Sequence, residues 1–187
     1  MVHLTALWLP ILLSAVAVFV ASSIVHMVLK YHQSDYRAMP GEANVMAAMR
    51  QEGVGPGHYY VPHCVDPKEL ANEEVREKFV KGPVGFFTVM PSGVPTMTKQ
   101  FVLWFVYAVV ISLFAAYVAG RALGPGADYL SVFRLAGTAA FLGYAGSSPA
   151  ESIWKGLPWS ITIKHMVDGL IYGLLTGGVF GWLWPGA

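Results

Sequence analysis

Four long apolar stretches dominate the chain. Residues 6–29 and 100–120 contain no Asp, Glu, Lys or Arg, and each is long enough for a bilayer core, which takes roughly 20 helical residues. Residues 129–147 carry one charge, Arg134, and residues 161–184 carry Lys164 and Asp168 in their first two turns. The pattern predicts an all-α membrane protein with four transmembrane helices and a small α(+β) cytoplasmic insertion, residues 30–99, between spans one and two. No Lys or Arg precedes the first stretch, and it outruns the apolar part of a secretion signal, so it is expected to be a retained span.

The insertion has a different rhythm. Pro40 to Gln51 reads as a helix with Val45, Met46 and Met49 on one side, closed by Gly53-Val54-Gly55-Pro56-Gly57. Asp66-Pro67-Lys68-Glu69 forms a capping box, with aspartate as N-cap, proline at the first helical position and glutamate reaching back. The helix it starts is expected to carry Leu70, Val75 and Phe79 as far as Gly82-Pro83. His58–Val61 and Val84–Met90 flank it as short extended segments rich in β-formers. About 70 residues of this kind bury little core alone. They read as a cap or docking element rather than an independent catalytic domain. A second box, Ser148-Pro149-Ala150-Glu151, predicts a short interfacial helix over 149–157 with Ile153, Trp154 and Leu157 on its apolar side.

Basic residues near the span ends set the expected orientation. Lys30, Arg37 and Lys99 flank the 30–99 connection, and Lys155 and Lys164 flank the one between spans three and four; the opposite side has Arg121. Both termini are therefore expected in the periplasm and residues 30–99 in the cytoplasm, with Cys64 in a reducing compartment. Over the whole of 30–99 the charges cancel, eight basic against eight acidic. Trp8, Trp104, Trp154, Trp159, Trp182 and Trp184 fall near span ends, where aromatic belts form.

Composition agrees: 55% of residues are apolar and 12% charged, against about 25% charged in soluble domains. A net charge of +1 offers no basic surface, so nucleic acid is excluded as a partner. The single thiol, Cys64, cannot form an intrachain disulfide or hold an iron–sulfur cluster alone.

Small residues recur at helical spacing inside the spans. Gly169, Gly173, Gly177 and Gly181 fall every fourth residue, a glycine-zipper stripe advancing about 6 Å per step on one face. Span two has Ala108, Ser112, Ala116 and Gly120, and span three has Ala139, Gly143 and Ser147. Because lipid is as apolar as leucine, close backbone contact is what joins helices in a membrane. Spans two, three and four are expected to meet through these stripes, with a spare face left for a partner subunit.

Candidate chemistry is sparse. Asp168 follows Lys164 by four residues, which predicts an intrahelical ion pair. Arg134, beyond the expected cap Asp128, is a candidate for lipid headgroups or a partner carboxylate. His26 and His165 fall at the same expected membrane level and are weak candidates for haem ligation or a quinone pocket. His58, His63 and Cys64, with Asp66, form the one compact set of metal-ligand types, but their spacing matches no zinc signature and Asp66 is committed as a cap. Phosphate-loop, dinucleotide, haem-attachment, metalloprotease and nucleophile-elbow motifs are absent. No catalytic residue and no cofactor follow from the sequence; a bound lipid, pigment or quinone stays open.

The run Ala115-Ala116-Tyr117-Val118-Ala119-Gly120-Arg121-Ala122-Leu123-Gly124-Pro125-Gly126-Ala127-Asp128-Tyr129, with Asp168-Gly169-Leu170-Ile171-Tyr172-Gly173 and Gly181-Trp182-Leu183-Trp184-Pro185, resembles a group of uncharacterised bacterial inner-membrane proteins over most of the chain. The resemblance implies a bacterial plasma-membrane location and a four-span plan, and it carries no activity. Three function classes follow. The first is a non-catalytic accessory or structural subunit of a larger inner-membrane complex, with other integral subunits and lipids as partners; an energy-transducing complex, respiratory or photosynthetic, is the type to consider first. The second is a small homo-oligomeric transporter or channel, and the third a redox or metal protein using the histidines.

Overall fold

An uncharged apolar run leaves its backbone no hydrogen-bonding partner but itself, and helix is the result. In the computed structural model, which describes residues 1–186, a 3-10 turn at Leu4–Leu7 leads into α1 (Trp8–Ser23), which ends in a π-turn, Ile24–Val28. Two short helices, α2 (Glu42–Gln51) and α3 (Glu73–Lys81), follow, with strands β1 (Gly57–Val61) and β2 (Gly85–Val89). Then come α4 (Thr98–Ala122), α5 (Tyr129–Ala145), α6 (Ser148–Lys155) and α7 (Trp159–Trp182). The chain divides into two units: Met1–Tyr36 with the chain from Thr96 onward, and Arg37–Pro95.

Two helical segments are long and apolar enough to cross a membrane. They are Leu4–Val28 and Thr98–Ala122, 25 residues each, with mean hydropathies of 2.3 and 2.4. The expectation of four spans is corrected to these two by that measure. α5 has only 17 residues, and the first half of α7 is broken by Lys164, His165 and Asp168.

Within the first unit, α5 lies along α7, α4 packs on α5 and α1, and α1 packs on α7. Leu7, Ile111, Ala115, Val132, Ala136 and Phe180 meet in one buried cluster, and Ala15, Val18, Ala108 and Tyr172 in a second. The outer faces stay apolar. Val16 and Val20 on α1 and Val106, Val110 and Phe114 on α4 are all exposed, as suits helices solvated by lipid rather than water.

The small-residue stripes are real contacts; spans three and four meet through theirs as expected, whereas the stripe of span two turns to α1. The α7 stripe faces α5 alone: a Cβ on Gly173 would stand 2.9 Å from the Gly137 carbonyl oxygen, and one on Gly177 would stand 2.7 Å from the Phe133 carbonyl oxygen. Gly169 abuts Ala145, and Gly181 abuts the Tyr129 ring. The matching face of α5 is thus Phe133, Gly137, Phe141 and Ala145. Ala139 and Gly143 lie on another side; Ala139 is half-buried against the first cluster and Gly143 abuts Ile111 of α4. The α4 stripe turns to α1 and the N-terminal residues. The hydroxyls of Ser112 and Ser14, both fully buried, lie 3.0 Å apart, Ala108 joins Ala15 and Val18, and Gly120 accepts a 2.8 Å hydrogen bond from the Val2 amide. Ala116 is also fully buried. The reason is partner size: α1 carries Ser14 and Ala15 at the crossing, so small residues meet small residues.

Helix α6 forms as expected but without its box. Glu151 bonds Lys155 one turn on, at 2.9 Å, and the preceding Ser147 makes no side-chain cap. The Ser152 and Thr162 hydroxyls, 2.5 Å apart, tie α6 to α7.

The second unit has β1 and β2 paired antiparallel, from Gly57 opposite Val89 to Val61 opposite Gly85. Tyr60 stacks on Phe86 at 4.4 Å and Tyr59 on Phe87 at 5.2 Å. Asp66 caps as expected, accepting from the Lys68 amide at 2.9 Å, but the helix it starts is only a 3-10 turn, Pro67–Ala71. Asn72 then adopts an extended conformation and caps α3 with a 2.8 Å bond from the Glu74 amide. A local side-chain cap outcompetes helix continuation there. No residue between Arg37 and Pro95 is buried.

Candidate functional site

Two local departures from regular helix build the site. The π-turn closes with the Leu29 amide bonded to the Ile24 carbonyl at 3.1 Å, and such turns concentrate at functional positions. Lys30 then takes a left-handed backbone conformation, φ 48°, uncommon and costly for a residue with a Cβ. The chain reverses there, and a second 3-10 turn, Tyr31–Asp35, lies on the second and third turns of α7.

The side chains it delivers are almost fully paired. The imidazole of His32 bridges two carboxylates, with Nδ1 2.6 Å from Asp35 Oδ2 and Nε2 2.8 Å from Asp168 Oδ2. Lys164 Nζ donates to Asp35 Oδ1 at 2.5 Å, to the Tyr31 carbonyl at 2.7 Å and to Ser34 Oγ at 2.8 Å. The Tyr31 hydroxyl donates to the other oxygen of Asp168. Asp168 itself is only 3% exposed. Both acids thus find hydrogen-bonding partners in the same turn-and-helix contact, which is what a buried ionic network requires.

Burial drives the Tyr31 hydroxyl up from its ordinary range, and the hydrogen bond to Asp168 and that residue's charge add to the shift. For Asp35, burial alone would raise the carboxyl; the hydrogen bonds and charges of Lys164 and His32 outweigh it and hold it below the ordinary value. Its contribution to stability is therefore present above the normal carboxylate range and is lost as pH falls through the lowered value.

This arrangement corrects the expected intrahelical pair. Lys164 and Asp168 each bond the Tyr31–Asp35 turn rather than each other, because a cross-chain partner offers several hydrogen bonds at once. His26 and His165 do converge, but around a residue the sequence reading passed over: His26 stacks on His32 with centroids 4.4 Å apart, and His165 tilts over it at 5.9 Å. Two sets of three have ligand atoms within 4.8 Å of one another, His26 with His32 and Asp168, and His32 with Asp35 and His165.

The other candidates do not assemble. His58 bonds Thr88 at 2.8 Å across the strand pair, and Cys64 Sγ lies 3.4 Å from the Asp66 carbonyl oxygen; with His63, they form no ligand set among the described residues. Local desolvation, with the charges of Glu69 and Asp66, pushes the Cys64 thiol above its ordinary value, the wrong direction for a nucleophile. Arg134 is exposed beside a shallow groove lined by Phe133, Thr138, Phe141 and Leu170, and it makes no ion pair among the described residues.

Comparison of this chain with family models, curated proteins and solved structures finds no match.

The signal that could have revealed the site is the pairing of Tyr31-His32-Gln33-Ser34-Asp35, directly after one apolar stretch, with Lys164-His165-Met166-Val167-Asp168 at the start of another. Each segment carries acid and base, so the two complement each other.

Proposed function

We propose that this chain is a non-catalytic accessory subunit of a larger bacterial inner-membrane complex. The reading rests on one observation: residues 37–95 form two short helices and a strand pair with no buried residue. Val65, Val80, Met90 and Val94 stand more than 70% exposed. A unit with no interior cannot offset the entropy of ordering its chain, so its apolar side chains need cover from outside, and a neighbouring subunit supplies it. Supporting this, the α7 glycine stripe is filled by α5, which leaves the bundle's outer apolar faces and the 37–95 unit as the surfaces for other subunits and lipid.

In this reading α1 and α4 cross the membrane, and α5 and α7 pack against them. Both termini are periplasmic, and residues 37–95 are cytoplasmic. A thiol reagent that cannot cross membranes is then expected to label Cys64 only in permeabilised cells; labelling in intact cells would invert the topology. An energy-transducing complex, respiratory or photosynthetic, is the partner to examine first.

The docking role is tested by replacing residues 37–95 with a short Gly/Ser linker. The variant is expected to insert in the membrane and to lose its co-purifying subunits. Full retention of those subunits by the shortened chain would remove docking as the role of this unit.

A further inference from the structure

We propose that His26, His32 and Asp168 hold a divalent transition-metal ion of the zinc or iron(II) type at the end of the helix bundle. The ligand atoms already lie within 4.8 Å of one another. Two imidazoles and one carboxylate, with a position left open, are the donor set of catalytic zinc and non-haem iron sites. Metal–ligand bonds of about 2.0–2.1 Å put tetrahedral ligand atoms roughly 3.3 Å apart. The His32 Nε2 to Asp168 Oδ2 separation of 2.8 Å therefore has to open by only a few tenths of an ångström. The ion takes the place of the direct contact between those two atoms.

The support around the ligands is what distinguishes this set from a chance cluster. A metal-bound histidine ordinarily donates its other ring nitrogen to a carboxylate, which fixes its tautomer and raises its basicity. His32 does so, with Nδ1 2.6 Å from Asp35, and Asp35 is in turn held by Lys164 at 2.5 Å. The second oxygen of Asp168 accepts from Tyr31. His26 is exposed, and its ring is held only by a hydrogen bond to the Ser22 backbone and by its stack on His32, so it can turn to complete the site.

The alternative set, His32 with Asp35 and His165, is disfavoured by charge. Its carboxylate is already bonded to the Lys164 ammonium, and a cation placed there would face that ammonium directly.

The test uses the full-length chain in detergent, stripped with a chelator, then titrated with Zn²⁺ by calorimetry and with Co²⁺ by its visible ligand-field absorption. One ion per chain is expected, with zinc displacing cobalt. His26→Ala is expected to abolish the cobalt band without unfolding the chain, since its side chain is exposed. Asp35→Asn is expected to weaken zinc binding by about 10–100-fold, the usual effect of removing a histidine's carboxylate partner. His165→Ala and His63→Ala are expected to bind like wild type. The proposal is overturned if the folded wild-type chain takes up neither ion, if His26→Ala leaves affinity and spectrum unchanged, or if His165→Ala abolishes binding.

Discussion

Replacing Gly177 by alanine is expected to disrupt the bundle, whereas the same change at the next residue, Gly178, leaves it intact. A Cβ on Gly177 meets the Phe133 carbonyl oxygen at 2.7 Å and the Gly137 Cα at 3.1 Å, while on Gly178 its nearest neighbour is the Tyr129 hydroxyl at 3.7 Å. The obstacle at Gly177 is backbone, which no rotamer change can relieve, so α5 and α7 have to part. Overpacking typically costs about 1–3 kcal/mol, and the loss for alanine is expected near the top of that range. Gly177→Leu and Gly173→Leu should leave no folded protein to purify. At Gly178, alanine gains about 1 kcal/mol of helix propensity instead. Thermal melting of the two alanine variants in one detergent separates them; equal melting temperatures would remove the close α5–α7 contact from the account.

Replacing Asp168 by alanine is expected to release the Tyr31–Asp35 turn from α7. Asp168 accepts from both Tyr31 and His32, and its removal strands the hydroxyl and leaves the imidazole with a single carboxylate. Breaking a buried ionic contact by deleting one partner costs about 3–5 kcal/mol, much more than an exposed pair such as Lys81–Glu77, for which the expected cost is about 0–1 kcal/mol. Limited proteolysis after Lys30 and Arg37 reads the release directly. Cleavage there should speed up markedly in Asp168→Ala and stay at the wild-type rate in Glu77→Ala. Unchanged cleavage in Asp168→Ala would mean that the turn is held by something other than this network.

The helices were legible because their signal is strong and local. Long uncharged runs and the Asp128 cap placed α4, α5 and α1 with its π-turn within a few residues of their observed ends, and richness in β-formers placed β1 and β2. Three features were not legible. The π-turn at Ile24–Val28 and the left-handed Lys30 have no composition of their own, so the reversal that brings His32 onto α7 could not be foreseen, and His26 and His165 were compared without the residue that joins them. Asn72 looked like a mid-helix polar residue, and only the competition between its own cap and helix continuation splits that helix in two. The α7 stripe met span three as expected, but the α4 stripe met α1 and the α7-facing side of α5 was Phe133, Gly137, Phe141 and Ala145, since a small-residue face records that something approaches closely and not which helix does.

The unit from Arg37 to Pro95 was expected from its size and composition to bury little core, and it has no buried residue. The most direct measurement of the accessory role is the native mass of the untagged protein, extracted from its own membranes in mild detergent, run on a native gel and identified by mass spectrometry. The account predicts a band far above the chain mass of 20.3 kDa that contains other integral subunits in fixed proportion. A band holding this chain alone would contradict it.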